Sequence, residues 1–205
     1  LEKLDPGFKR LLRSHKIEDL RAHAGAIYGI WPDFRLAYLN PGWFRFAADN
    51  NGEPEISRRW DLGVSMLDAL PPETQAFYKA RYRDCLESGN TWSYEYECSS
   101  AQIFRLLAQI VYPLGAGEGL LIANSLRVEQ AHDPKGRPVN PPLDSVYRDQ
   151  EGLIHQCAGC RRVKNPLEPE RWDWVPAWVD RIPVATTHTF CPSCFGHFFR
   201  LPKDR

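Results

Sequence analysis

Four of the six cysteines fall in two Cys-x-x-Cys pairs, Cys157 and Cys160 in "HQCAGCRRVKN" and Cys191 and Cys194 in "FCPSCF", with thirty residues between the pairs. A thiolate is at once a nucleophile, a redox group and a soft metal ligand, so the pairs admit three chemistries: reactive dithiols, two disulfides, or one metal site. A disulfide closed within Cys-x-x-Cys is a strained small ring met mainly in thioredoxin-like catalysts, and the alternating strand and helix pattern of that fold is missing here. Zinc accounts for the arrangement better. A tetrahedral ion takes four soft donors at about 2.3 Å, and each knuckle brings two sulfurs to it from one tight turn while backbone N–H groups bond to them.

His155, His188 and His197 compete as ligands, but four cysteines make them unnecessary, and they are read as surface or supporting residues. A closed tetrathiolate keeps no open position for water, which argues against catalysis, and iron would use the same ligands. The thiolates leave net negative charge, which Arg161, Arg162 and Lys164 are placed to offset. The intervening "RWDWVPAWVDRI" supplies Trp172, Trp174, Val175, Trp178, Val179 and Ile182 as the small core that a metal-stapled module still needs.

The elements that must carry these knuckles follow from the rest of the chain. At 205 residues and 43% hydrophobic, one or two domains with a real core are expected. No apolar run reaches the roughly 18 residues of a membrane span, and "LEKLDPGFKRLLRSHK" lacks a secretory stretch, so the expected location is cytoplasmic, with thiols reduced. Lys plus Arg equals Asp plus Glu at 26 each, which gives no global field for nucleic acid. Phosphate-loop, nucleophile-elbow and metalloprotease motifs are all missing, and "GAGEG" at Gly115–Gly119 is a hairpin turn, so the protein is expected not to be an enzyme.

Asp5 and Pro6 open a helical region carrying Phe8, Leu11 and Leu12, and a second amphipathic piece follows from Ile17 to Ala24. Ala26–Trp31 and Arg35–Leu39 read as two short strands. Asn40 caps a helix begun by Pro41, which "DNNG" stops. A long helix from Pro72 to Leu86 buries Tyr78, Tyr82, Cys85 and Leu86. "TWSYEYEC" alternates as a half-buried strand, and "IFRLLAQIVYPL" and "GLLIANSL" complete three consecutive strands, with Cys85 and Cys98 read as core packing. The fold class is α+β, with helices on one face of an antiparallel five-stranded sheet and a small zinc-stapled C-terminal module.

"GIWPDFRLAYLNPGWFRFAADNNG", with the three long strands ending at Gln130, resembles a PAS sensory domain. "CAGCRRVKN", a Trp-Val segment and "THTFCPSCF" are similar to a cysteine-paired tail found after PAS or receiver domains in bacterial signalling proteins. The resulting boundaries are a helical segment at 1–23, a PAS-like domain at 24–131, a proline-rich linker at 132–150, and the four-cysteine module at 151–205.

The resemblance implies a cavity for haem, flavin or a metabolite, and a homodimer through the helix before the sheet, where Phe8, Leu11, Leu12, Ile17 and Leu20 form a stripe. No His lies between His23 and His132 to ligate haem, and the reactive cysteine motif of light-sensing flavin domains does not occur. What remains for a pocket is Trp43, Phe46, Trp60, Phe77, Tyr94, Tyr96, Phe104 and Tyr112, with no ligand specified. The expected function is a non-catalytic sensor or adaptor that works by contact with a signalling partner. The alternatives are a thiol and zinc redox sensor, and a zinc-module nucleic-acid binder using Arg161, Arg162, Lys164 and Arg171.

Overall fold

A computed structural model describes residues 1–199; residues 200–205 of the expected C-terminal module lie outside the described residues. The chain is mixed α+β and forms two compact units, Leu1–Glu95 with Leu107–Leu126, and Tyr96–Leu106 with Arg127 onward. No helix among the described residues is long and apolar enough to cross a membrane.

The first unit holds β1 (Lys3–Leu4), β2 (Ile27–Ile30), β3 (Leu36–Leu39) and parts of β4 (Trp92–Glu97), β5 (Ile103–Leu114) and β6 (Gly119–Ala131), whose residues 96–106 and 127–131 are counted with the second unit. These make one antiparallel sheet of six strands in the order β1-β3-β2-β6-β5-β4. The sheet has one strand more than expected, because two residues at the chain start pair with Tyr38 and Leu39 at the edge. A two-residue strand has too short a pattern to be read from sequence.

Every residue of β2 (IYGI) and β3 (LAYL) is buried, which is what a continuous apolar run means when both faces of a sheet are covered. Helices α1 (Ile17–Ala22), α2 (Pro41–Asp49), α3 (Glu55–Arg59) and α4 (Pro72–Ser88) belong to this unit. From α4, Tyr82 reaches Tyr28 of β2, the two hydroxyls 3.2 Å apart. The neighbouring Gly29 points to the opposite face, where the Phe8 ring lies so close that a β-carbon would come within 2.4 Å of it. Helices on one face only is therefore corrected: the 3-10 turn Phe8–Ser14 seals the other face, with Leu11, Leu12, Ile27, Tyr38, Leu114 and Leu121 packed around Phe8.

Local rules explain the helix boundaries. Asp5 Oδ1 accepts from the Gly7 N–H at 2.7 Å, and Asn40 Oδ1 accepts from the Trp43 N–H at 2.9 Å ahead of Pro41. Gly89, at φ +71°, closes α4 in the left-handed conformation that a side chain rarely adopts.

The second unit contains β7 (Ile154–Cys157), β8 (Val163–Asn165), β9 (Glu168–Asp173) and β10 (Thr186–Thr189), in the order β10-β7-β8-β9. Three short helices accompany them: α5 (Asp144–Tyr147) ahead of β7, α6 (Ala177–Asp180) between β9 and β10, and α7 (Pro192–Phe199) after β10. Tyr147, Ile154, Val163, Val175 and Trp178 form the core. Trp174 and Val175 are buried as the sequence suggests, but Ile182 is about half exposed, in the loop after α6.

The proline-rich stretch runs within this unit and is fastened there. The Asn140 N–H donates to the Trp174 carbonyl at 2.8 Å, and Arg162 donates to the Gly136 carbonyl at 3.1 Å.

Candidate metal centre

The parallel pairing of β10 with β7 positions the centre. Its register sets Thr189 opposite Cys157, so the chain leaving β10 delivers Cys191 beside the last residue of β7. Parallel neighbours need a crossover connection. The thirty residues between the knuckles provide it, and β8, β9 and α6 fill it.

The first knuckle folds back at once: the Arg161 N–H donates to the Cys157 carbonyl at 3.0 Å, and the Cys157 N–H to the Arg162 carbonyl at 2.7 Å. Arg161 takes φ +63° to allow this reversal. In the second knuckle Cys191 stands ahead of α7, and its carbonyl accepts from the Phe195 N–H at 2.8 Å. The Cys191 N–H donates to the Cys157 sulfur at 3.3 Å and so joins the two knuckles, while within the second knuckle the Cys194 N–H donates to the Cys191 sulfur at 3.4 Å.

All four Sγ atoms lie within 4.8 Å of one another, and Cys160 and Cys191 approach to 3.8 Å. Metal–sulfur bonds of about 2.3 Å put tetrahedral sulfurs about 3.8 Å apart. Cys157, Cys160 and Cys191 are buried and Cys194 is partly exposed, with none of the four in a disulfide. Together they can hold one metal ion. Among the described residues none of His155, His188 and His197 joins the cluster; His155 instead pairs with Asp149 through Nε2 at 2.7 Å.

Crowding the thiols splits their acidity. Hydrogen bonds from Cys160, Cys191 and Cys194 hold the Cys157 thiol below its ordinary value, while those with Cys157, Cys191 and Cys194 push the Cys160 thiol up. A metal ion binds cysteine as thiolate, so loading the four sulfurs releases their protons. Soft donors, burial and N–H bonds to sulfur all fit a metal ion held for structure.

One buried cation of this unit is one that the sequence did not mark. It is Arg137, between two prolines of the expected linker. It forms a fork with Glu97, Nη1 to Oε1 at 2.7 Å and Nη2 to Oε2 at 2.9 Å, and both side chains are largely buried. The guanidinium also lies over the Trp174 ring at 4.6 Å and the Phe104 ring at 5.6 Å. Burial works against its charge, but Glu97 and the sulfurs outweigh burial and hold its pKa above the ordinary value. Arg162 is turned to a carbonyl and Arg171 is paired with Asp173 and Glu168, so two of the four basic residues expected to contact nucleic acid are engaged within the module.

The aromatic candidates do not gather at one point. Phe77 and Tyr94 meet at 5.3 Å beside Trp92, while Trp43 packs edge-on to Tyr28 at 5.5 Å. Trp60 is buried beneath Arg59, Phe46 is half-buried on α2, and Tyr112 packs near His15 against the cluster around Phe8. Tyr96 and Phe104 belong to the second unit.

Cys85 is buried on α4, as core packing requires. Cys98 is exposed and corrects that reading: β4 ends at Glu97, and the side chain beyond it no longer follows the half-buried alternation. Phe8, Leu11 and Leu12 are engaged in the chain's own core, so a dimer through this segment would have to use other side chains. The chain matches no protein-family model and no curated protein sequence at a significant level.

Proposed function

We propose that the protein is a non-catalytic signalling sensor or adaptor, in which a zinc ion folds the C-terminal module into a platform for protein contacts and the PAS-like unit perceives a small ligand or redox state. The observation that carries the reading is the closed set of four sulfurs on Cys157, Cys160, Cys191 and Cys194, within 4.8 Å of one another and mostly buried. A site of that kind has no coordination position for substrate, so the metal's part is to hold the fold.

The layout of the first unit supports the sensory half: a strand pair, a helix opened by Asn40 and Pro41, a long helix, then three consecutive strands in the same sheet. Zinc is assigned over iron because four thiolates satisfy its tetrahedral preference without redox demands. The partial exposure of Cys194 favours a second reading, a thiol sensor that releases its metal when oxidised.

Metal analysis and an absorption spectrum of the reduced protein test both. One colourless zinc per chain, retained under mild peroxide, supports the structural site; loss of zinc with reversible disulfide formation supports the thiol sensor. Visible bands would transfer the metal assignment to iron or the sensory unit to a coloured cofactor.

A further inference from the structure

At the start of β7, the end away from Cys157, a second group of polar side chains meets. β7 and β8 pair antiparallel with Gln156 opposite Val163, and both of these residues are buried. Side chains alternate across a strand, so His155 and Lys164, the adjacent pair, stand side by side on the other face. There they are half-buried and line a cleft of about 340 Å³ with Asp149, Gln150, Glu151 and Pro166. Ligand sites run from about 300 to 1,000 Å³, so the cleft suits a small molecule.

The loop before β7 is wound to hold the imidazole. Asp149 Oδ1 accepts from the N–H groups of Glu151 and Leu153, each at 2.9 Å, and Oδ2 lies 2.7 Å from His155 Nε2. The imidazole and the Leu153 N–H hold the Asp149 acid below its ordinary value, so it is a carboxylate and can only accept. His155 Nε2 therefore carries a proton, and the lone pair of Nδ1 is left as an acceptor.

The Asp149 charge is thus absorbed by its own loop and by His155. Lys164 and Glu151 differ: among the described residues neither side chain has a hydrogen-bond or ion-pair partner, although both line the cleft. One open charge of each sign and one neutral acceptor share the same space. A phosphate there would meet Lys164 but also two carboxylates, and a divalent cation would meet the Lys164 ammonium. A ligand that carries both charges satisfies the whole set.

We propose that this cleft binds a small zwitterion of the α-amino-acid class, with its carboxylate on Lys164 and its ammonium donating to Glu151 and to His155 Nδ1. Asp149 is a positioning residue: it sets which ring nitrogen faces the ligand. The site lies wholly within the second unit and takes a ligand separate from any that the first unit perceives.

The test titrates the full chain by calorimetry with each proteinogenic L-amino acid in turn, with the N-acetyl and methyl-ester forms of any that binds, and with inorganic phosphate. At least one free amino acid is expected to bind, one per chain. Blocking its amine or its carboxylate is expected to weaken binding about 10- to 100-fold, since each block removes a charged hydrogen bond. Lys164→Met and Glu151→Gln are expected to lose a similar factor, and Lys164→Arg to recover part of it. Asp149→Asn turns an amide N–H toward the ring, so the imidazole nitrogen shifts in NMR are expected to show the proton moved to Nδ1, with affinity lost.

Circular dichroism checks that each variant is folded, and the comparison of free with blocked ligands needs no variant at all. Three results would each overturn the proposal: no free amino acid binds, binding survives both Lys164→Met and Glu151→Gln, or phosphate binds as tightly as the best amino acid.

Discussion

A β-carbon on Gly159 would stand 2.9 Å from the sulfur of Cys194 and 3.1 Å from its Cβ. The two residues belong to different knuckles, so the bare backbone of one forms the wall against which a ligand of the other is set. Gly159→Ala must push that sulfur outward or tilt the first knuckle, because Phe198 closes the remaining side at 3.2 Å. The expected result is at least a tenfold weaker zinc affinity, on the order of 1.4 kcal/mol, in chelator competition. Gly196→Ala is the control: its β-carbon meets nothing within 4 Å. Equal affinities for the two variants would show that the close approach has no bearing on the metal.

Thiol reactivity separates the tetrad from the other two cysteines. Cys98 is exposed and Cys85 is buried on α4. In the metal-loaded native protein an aromatic disulfide reagent is expected to titrate one thiol quickly. After chelation the four cluster thiols should follow, and Cys85 should react only once the first unit unfolds. Cys98→Ser should abolish the fast phase and leave zinc stoichiometry at one, whereas Cys160→Ser or Cys191→Ser should cut zinc retention sharply. Fast reaction of more than one thiol in loaded wild type would count against a closed site.

Phe8 tests how the sheet is sealed. Its ring is fully buried against Gly29 and Gly119, with Trp31 edge-on at 5.0 Å. Phe8→Ala is expected to cost about 3–5 kcal/mol in urea unfolding of the first unit. Gly29→Ala should destabilise the same unit by overpacking, since a β-carbon there falls 2.4 Å from the ring. A small effect from both would mean that the segment before α1 is peripheral to the core.

These residues also mark what the sequence could and could not reveal. The knuckles were legible because metal coordination fixes residue type and local spacing together, and α2 and α4 because caps and a 3.6-residue period are local signals. Asn40 was legible only as a cap. Its Nδ2 also donates to the carbonyls of Leu20 at 3.0 Å and Gly25 at 3.1 Å, partners a strand away that no local pattern encodes. The parallel pairing of β10 with β7 was hidden for the same reason: "TTHT" has no apolar alternation, and its place in the sheet comes from the register that unites the knuckles. Arg137 gave no signal at all, because a lone arginine among prolines looks like any solvated linker residue.

Alkaline pH tests the interior of the first unit. Burial pushes the Tyr28 phenol from 10.0 up to about 12, against hydrogen bonds with Tyr82 and Gln109 that pull it down. A phenol whose pKa is raised by folding stays protonated in the native state after it would ionise in the unfolded chain. The native state therefore binds more protons between those two values, and stability falls with rising pH across that window. The contribution is fully present below about pH 10 and lost as pH climbs through about 12, where Tyr28 ionises. The loss is on the order of 2–3 kcal/mol. Urea unfolding followed between these limits should show this decline, and Tyr28→Phe should make it shallower. It will not flatten it, since burial also raises Tyr38 and Tyr147. An identical pH slope in wild type and Tyr28→Phe would mean that Tyr28 reaches solvent in the native protein, and that the buried hydroxyl pair with Tyr82 does not persist.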